Sequence, residues 1–170
     1  MPRVETKFER MLKKIHENKL HRTVLRAVSY ITALLSVGAF VYLCVSYYLK
    51  EPISVIEPII ICGVPFAIVS VFRRIVDVPR PYEVYSLFGE DLPKDKKGRS
   101  FPSRHTFSAF VIGTLLAFTS LSLGIALLIF ALAMAIARVL LGVHFVRDVV
   151  AGGAIGIASA VIGFAIFIFI

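Results

Sequence analysis

The chain has 170 residues, of which 58% are hydrophobic and none is tryptophan, and its mean hydropathy is +0.84. A soluble domain of this length has too little interior for so much apolar side chain, which excludes an ordinary soluble fold and leaves a single polytopic membrane domain. The formal net charge of +8 does not imply a nucleic-acid partner, because the basic residues flank apolar runs and form no basic domain; the lipid bilayer's anionic headgroups and a phosphorylated substrate account for it.

Residues 1–26 carry eight Lys/Arg and three Glu. Phe8, Met11, Leu12 and Ile15 recur among them at helical spacing, a pattern that fits an amphipathic helix lying on a membrane surface. A solvated basic tail fits the same composition. The segment is too long and too mixed in charge for a cleaved signal, so the first span is read as retained.

Ala27–Leu49 is free of charge and long enough to span a bilayer. Lys50-Glu51-Pro52 makes a minimal turn, and residues 53–72 form a second span. Glu57 near its start reads as an interfacial group rather than a proton relay. Residues 73–104 change character, with Pro79, Pro81, Pro93 and Pro102, several charges and no long apolar run. This is the one aqueous loop large enough to shape a site.

Thr106–Leu123 is the third expected span, with a tight turn at Ser120-Leu121-Ser122 before Gly124. Gly124–Val143 is the fourth, interrupted by Arg138. Val149–Ile170 is the fifth, where Gly152, Gly153, Gly156 and Ala158 supply small faces for close helix packing. Cys44 and Cys62 lie within apolar runs, fit no zinc spacing and read as small core residues. The expected fold is therefore an all-α, polytopic membrane helical bundle of about five transmembrane helices. Residues 1–26 form a basic interfacial segment and 27–170 one membrane-embedded domain.

Five crossings bring loop 73–104, His105, Arg138, His144 and Asp148 to one membrane face. Histidine and arginine are costly near a bilayer and default to a functional reading there. Asp148 follows His144 by four residues, so in helical geometry the two share a face. A carboxylate that accepts the proton on one imidazole nitrogen leaves the other as nucleophile. Attack on phosphorus then gives a phosphohistidine. His105 is the remaining candidate for protonating the leaving alcohol, since His16 and His21 lie in the basic tail. Arg73, Arg80, Arg104 and Arg138 suit the equatorial oxygens of a transferring phosphoryl group, and Ser103 with the helix N-terminus adds donors. Arg74 reads as an ordinary interfacial charge. No acidic cluster resembles a magnesium site, so neither a metal nor another cofactor is expected. The bland reading of any one motif is a snorkelling arginine or a helix-capping histidine; the ordered set on one face argues for an enzyme.

Three segments carry a resemblance: Arg73-x6-Arg80-Pro81, Pro102-Ser103-Arg104-His105, and Ala137-Arg138-x5-His144-x3-Asp148. Over about residues 53–170 the chain resembles the type 2 phosphatidic acid phosphatases, a superfamily that includes lipid phosphate phosphatases and vanadium haloperoxidases. Its signature is Lys-x6-Arg-Pro, Pro-Ser-Gly-His and Ser-Arg-x5-His-x3-Asp. The resemblance implies His144 as nucleophile, Asp148 as its partner, and His105 as general acid. It also implies a phosphate pocket of Arg73, Arg80, Ser103, Arg104 and Arg138. Arg73 stands where the pattern has lysine, Arg104 where it has glycine, and Ala137 where it has serine. The Arg104 change bears on substrate choice and is compatible with a diphosphate or a more anionic headgroup.

The expected activity is hydrolysis of a membrane lipid's phosphate monoester or diphosphate, of phosphatidylglycerophosphate, phosphatidate, lipid A or polyprenyl diphosphate type. A phosphatase of small soluble esters and a non-catalytic anionic-lipid binding or transport protein are the rivals, with vanadate oxidation chemistry a distant third. Of the 19 Lys/Arg, all but Lys50 fall on the amino-terminal and active-site face. The positive-inside rule would put that face in the cytoplasm, whereas the resemblance implies the outer face of the cell membrane. The amino-acid pattern leaves the lipid and the oligomeric state open.

Overall fold

In the computed structural model the described residues are 6–85 and 98–169, and they fold as helices joined by short connections. Helix α1 (Lys7–Glu17) is amphipathic, as its spacing predicts. The Thr6 side chain accepts from Glu9 N at 3.1 Å, and Lys13 pairs with Glu9 one turn away at 3.5 Å. Leu12 is fully buried, so α1 packs on the protein and is not a solvated tail.

Asn18 ends α1 and starts α2 (Lys19–Lys50), its side-chain oxygen accepting from Leu20 N and His21 N. At 32 residues, α2 runs about 48 Å, more than the hydrocarbon core needs. The span expected from Ala27 thus begins as an aqueous helix eight residues earlier. A 3-10 turn, Pro52–Val55, leads into α3 (Ile56–Val76), which is capped by Asp77 in the left-handed region. After the short α4 (Pro81–Val84) come α5 (Arg104–Thr119), α6 (Leu121–Leu140) and α7 (Val146–Phe169). Residues 86–97 of the expected 73–104 loop lie outside the described residues.

Among the described residues, four stretches are long and apolar enough to cross a membrane: Lys19–Lys50, Pro52–Val84, Leu121–Leu140 and Val146–Phe169. The third expected span, α5, has 16 residues, about 24 Å. It is the central post of the bundle, packing on α7, α6, α2 and α3. Phe107, Val111 and Leu115 of α5 meet Leu43, Ile61, Leu127 and Ala160 from the other four helices. Outside this core, α2 and α3 carry exposed Tyr30, Leu34, Ile68 and Ile75, a surface suited to lipid tails rather than water.

Glycine sets how closely the post is gripped. A Cβ on Gly152 would lie 2.6 Å from Ser103 O, and one on Gly156 would lie 2.7 Å from Phe107 O. Helix α7 therefore touches the backbone of α5, as small-residue packing in membranes permits. The stripe continues to Ala160, which is fully buried, whereas Ala158 of the expected small face is exposed. Its place two residues after Gly156 and two before Ala160 rotates it off the contact face. The turn between α5 and α6 also differs from expectation. It narrows to Ser120 alone, and Gly124 lies inside α6, where a Cβ would come 2.3 Å from Ala117 Cα. That glycine serves close approach rather than a turn.

Candidate active site

Three connections converge at the end of the bundle where α3 and α6 finish and α5 and α7 begin. Helix α6 stops at Leu140, and a turn containing Gly142 at φ 65 delivers His144 ahead of α7. His144 is thus not on a continuous helix with Asp148, contrary to the spacing argument. It precedes the cap of α7, and Asp148 N donates to Phe145 O at 3.0 Å. The two meet because the Asp148 side chain folds back over the helix start, where its Oδ2 accepts from Phe145 N at 2.9 Å. An acidic side chain in the first turn satisfies an otherwise orphaned N–H in this way.

Asp148 is fully buried and His144 is 3% exposed, with Nδ1 3.6 Å from Asp148 Oδ2. A third group completes the cluster. Ser100 Oγ donates to Asp148 Oδ2 and lies 3.4 Å from His144 Nδ1. The Nδ1 edge of the imidazole is therefore enclosed by oxygen, and Nε2 is the edge that faces away. Burial pushes the His144 imidazole down to about 4; the Arg80 and Arg73 charges act in the same direction, and Asp148 opposes them through its hydrogen bond and charge. The ring is neutral at neutral pH.

His105 is exposed at the start of α5, and Arg138, His144, Arg104 and Arg73 are all close enough to act on it electrostatically. Both histidines thus belong to one cationic cluster. Arg138 is half-buried near the end of α6, and its Nε is buried without a hydrogen-bond partner among the described residues. Arg80 N–Hε donates to Gly98 O at 3.0 Å, and its guanidinium stands over the Tyr82 ring. Arg104 is exposed beside His105.

Arg73 and Ser103 sit deeper than a simple phosphate pocket implies. Arg73 is 4% exposed and donates to the carbonyls of Arg99, Ser100 and Pro102, so its fork grips the loop ahead of α5. Ser103 is fully buried and caps α5, with Oγ 3.0 Å from Thr106 Oγ1 and 3.5 Å from Thr106 N. Its own N–H donates to Asp148 O at 2.9 Å, tying the start of α5 to α7.

Other ties hold the loop and α4 in place. Glu83 Oε1 accepts from Gly98 N at 2.8 Å and Arg80 N at 3.3 Å, Asp77 Oδ1 accepts from Arg99 N at 3.1 Å, and Tyr82 N donates to Gly142 O at 3.0 Å. Helix α1 reaches the same end of the molecule. Phe8 packs on Ala135, Val139 and Val149, and an edge-to-face chain runs from Phe8 through Tyr85 to Phe145, the neighbour of His144.

From Arg104 and His105 a groove of about 460 Å³ runs along α2, α3, α5 and α6, floored by Phe40, Phe66, Ile112 and Met134. Ser100, Asp77 and Glu83 were not singled out from the sequence. Ser100 precedes Phe101-Pro102-Ser103-Arg104-His105, but a serine before a proline-containing turn has many bland uses, and only the fold puts it against Asp148.

Comparison with known proteins follows the same lines. The chain is similar to LpxE from Aquifex aeolicus, with 25% identity, a TM-score of 0.66, and coverage of 92% of this chain and 93% of that one. It shares the fold of the first transmembrane PAP2-type phosphatidylglycerolphosphate phosphatase from Bacillus subtilis, with 18% identity, a TM-score of 0.73, and coverage of 100% of this chain and 89% of that one. No curated protein matches the chain in sequence. The sequence profile of the PAP2 superfamily matches residues 26–169, from within α2 to the end of α7, and this multi-pass membrane chain belongs to that superfamily.

Proposed function

We propose that the protein is a membrane lipid phosphatase working through a phosphohistidine at His144. The observation that carries this reading is the buried His144–Asp148 pair beside arginines, with the Arg138 Nε left unpartnered. A buried cationic group without a partner is costly, and a bound phosphoryl group removes that cost.

In this reading His144 Nε2 attacks phosphorus while Asp148 holds the Nδ1 proton. The bond from phosphorus to the leaving oxygen breaks, and His105 gives that oxygen its proton. Water then attacks the phosphohistidine, His105 takes the water's proton, and inorganic phosphate leaves with His144 regenerated. Arg80, Arg104 and Arg138 stabilise the equatorial charge. Arg73 adds charge from behind while it shapes the loop, and Ser103 orients the first N–H groups of α5. The fixed cations supply the role that a metal fills in other phosphoryl-transfer enzymes, so the reaction proceeds in EDTA.

The groove beside His105 supports a substrate whose hydrocarbon tail stays among α2, α3 and α5, and this favours a lipid over a small soluble ester. Likeness to a phosphatidylglycerolphosphate phosphatase and to LpxE is compatible with that class. The outer membrane face is proposed from family resemblance, against the distribution of Lys and Arg.

The test is inorganic phosphate released in detergent with EDTA from phosphatidate, phosphatidylglycerophosphate, lipid A and a polyprenyl diphosphate, for wild type and His144→Ala. Release that the substitution lowers by at least about 10³-fold is expected. Headgroup binding that survives His144→Ala, with no phosphate released by wild type, would instead establish a binding protein.

A further inference from the structure

We infer that Ser100 is a positioning residue for the nucleophile, acting through Asp148 to hold His144 with its proton on Nδ1 and its lone pair on Nε2. The inference rests on the reading of His144 as nucleophile.

Ser100 is fully buried, and a buried hydroxyl must spend both its hydrogen and a lone pair. Its hydrogen goes to Asp148 Oδ2. That leaves an oxygen lone pair toward His144 Nδ1 at 3.4 Å, comparable to the 3.6 Å from Nδ1 to Asp148 Oδ2. The proton on Nδ1 therefore meets two acceptors, a neutral oxygen and a carboxylate oxygen. The tautomer with hydrogen on Nε2 would set the Nδ1 lone pair against both. Asp148 alone favours the same tautomer, but its Oδ2 is already shared with Phe145 N. Ser100 supplies the second acceptor and keeps the carboxylate turned toward the ring.

The position of Ser100 is itself over-determined. Its N–H donates to Val78 O at 2.8 Å, and its carbonyl accepts from Arg73 at 3.1 Å. Arg73, on α3, thus aligns a serine that aligns a carboxylate on α7 that aligns the histidine. This links the first family segment to the third through a residue outside all three.

The test uses the full chain in detergent, with Ser100→Ala and Ser100→Thr compared to wild type. The expected result for Ser100→Ala is a kcat lowered about tenfold or more with KM within about twofold. The acid limb of its pH profile moves to higher pH, because the carboxylate charge then falls on the imidazolium undiluted. Ser100→Thr keeps the hydroxyl and recovers most of the loss.

Histidine-selective 15N spectra, with His144 assigned by comparison with His144→Gln, supply a readout independent of turnover. Wild type should show the Nδ1–H tautomer and Ser100→Ala a mixture. Should wild type release no phosphate from any lipid, the phosphatase reading fails alone and the spectra still decide the role of Ser100. An unchanged tautomer with kcat within about twofold of wild type overturns the inference. So does equal loss in Ser100→Ala and Ser100→Thr accompanied by lowered thermal stability, which marks a purely structural serine.

Discussion

His105 and His144 are both imidazoles in one cationic cluster, yet their surroundings differ in the way the tasks proposed for them require. His144 has a carboxylate and a hydroxyl on one edge and almost no exposure, whereas His105 is exposed at the groove mouth beside Arg104. A general acid matters in proportion to how poor the leaving group is. His105→Ala should therefore lower kcat on an alkyl lipid phosphate by about 10²–10⁴-fold. On a nitrophenyl phosphate analogue, whose leaving group needs no proton, the loss should be far smaller; parallel rate measurements on the two substrates check this. The His144 value of about 4 sets a second expectation. The nucleophile is neutral above that pH, so its titration should put an acid limb in kcat/KM near 4. A limb at 6.5 would contradict it. Stability follows the same shift. Between the ordinary 6.5 and about 4 the unfolded chain binds a proton that the folded chain excludes, so this group's contribution is present above 6.5 and is lost as pH falls across that window. Urea unfolding at pH 7 and pH 4.5 reads it.

At the element scale, the α5–α7 contact decides whether these side chains meet. Ser103 N donates to Asp148 O, and Gly152 and Gly156 let the two helices approach until backbone touches backbone. Gly152→Ala and Gly156→Ala should each cost about 1–3 kcal/mol by overpacking and reduce activity by parting α5 from α7. Gly153→Ala is the control. Its Cβ would meet the Phe110 ring at 3.5 Å, an ordinary contact, so thermal unfolding should barely change. Equal destabilisation at all three positions would overturn the helix-approach account, since helix propensity by itself favours alanine over glycine. The helix starts matter for a separate reason. Asp148 closes the first turn of α7 as it faces His144, so one carboxylate serves the fold and, in the proposed mechanism, the chemistry.

At the scale of the whole molecule, five helices of alternating direction put α1, the 98–103 loop and the His144 turn at one end and Lys50 and Ser120 at the other. The Phe8–Tyr85–Phe145 chain marks that shared end directly. With α5 counted as a crossing beside the four longer spans, an odd number separates the chain termini. Reporter tags at the two ends should therefore lie on opposite sides of the membrane, with the amino-terminal tag on the side of His144. Protease protection in sealed vesicles reads this, and tags on one side would remove a span, with α5 at 16 residues the element to re-examine.

Much of this molecule is legible in its sequence because the bilayer imposes a severe rule. Every backbone polar group in hydrocarbon must be satisfied within its own segment, so long uncharged runs become helices, and counting them places His105, Arg138, His144 and Asp148 at one face. Spacing and resemblance together marked those residues. The boundaries were less legible. The turn at Ser120, the aqueous extension of α2 and the exposure of Ala158 depend on which helices touch and at what rotation, which hydropathy does not encode. Nor does spacing reveal what a buried group bonds to. Tertiary structure alone decided that Arg73 grips three loop carbonyls, that Ser103 is spent on a helix cap, and that Ser100 closes on Asp148. Buried polar atoms take whichever partners the packed backbone brings within reach, and for Arg73 and Ser100 the partners that decide the site come from residues 26 to 48 positions away along the chain.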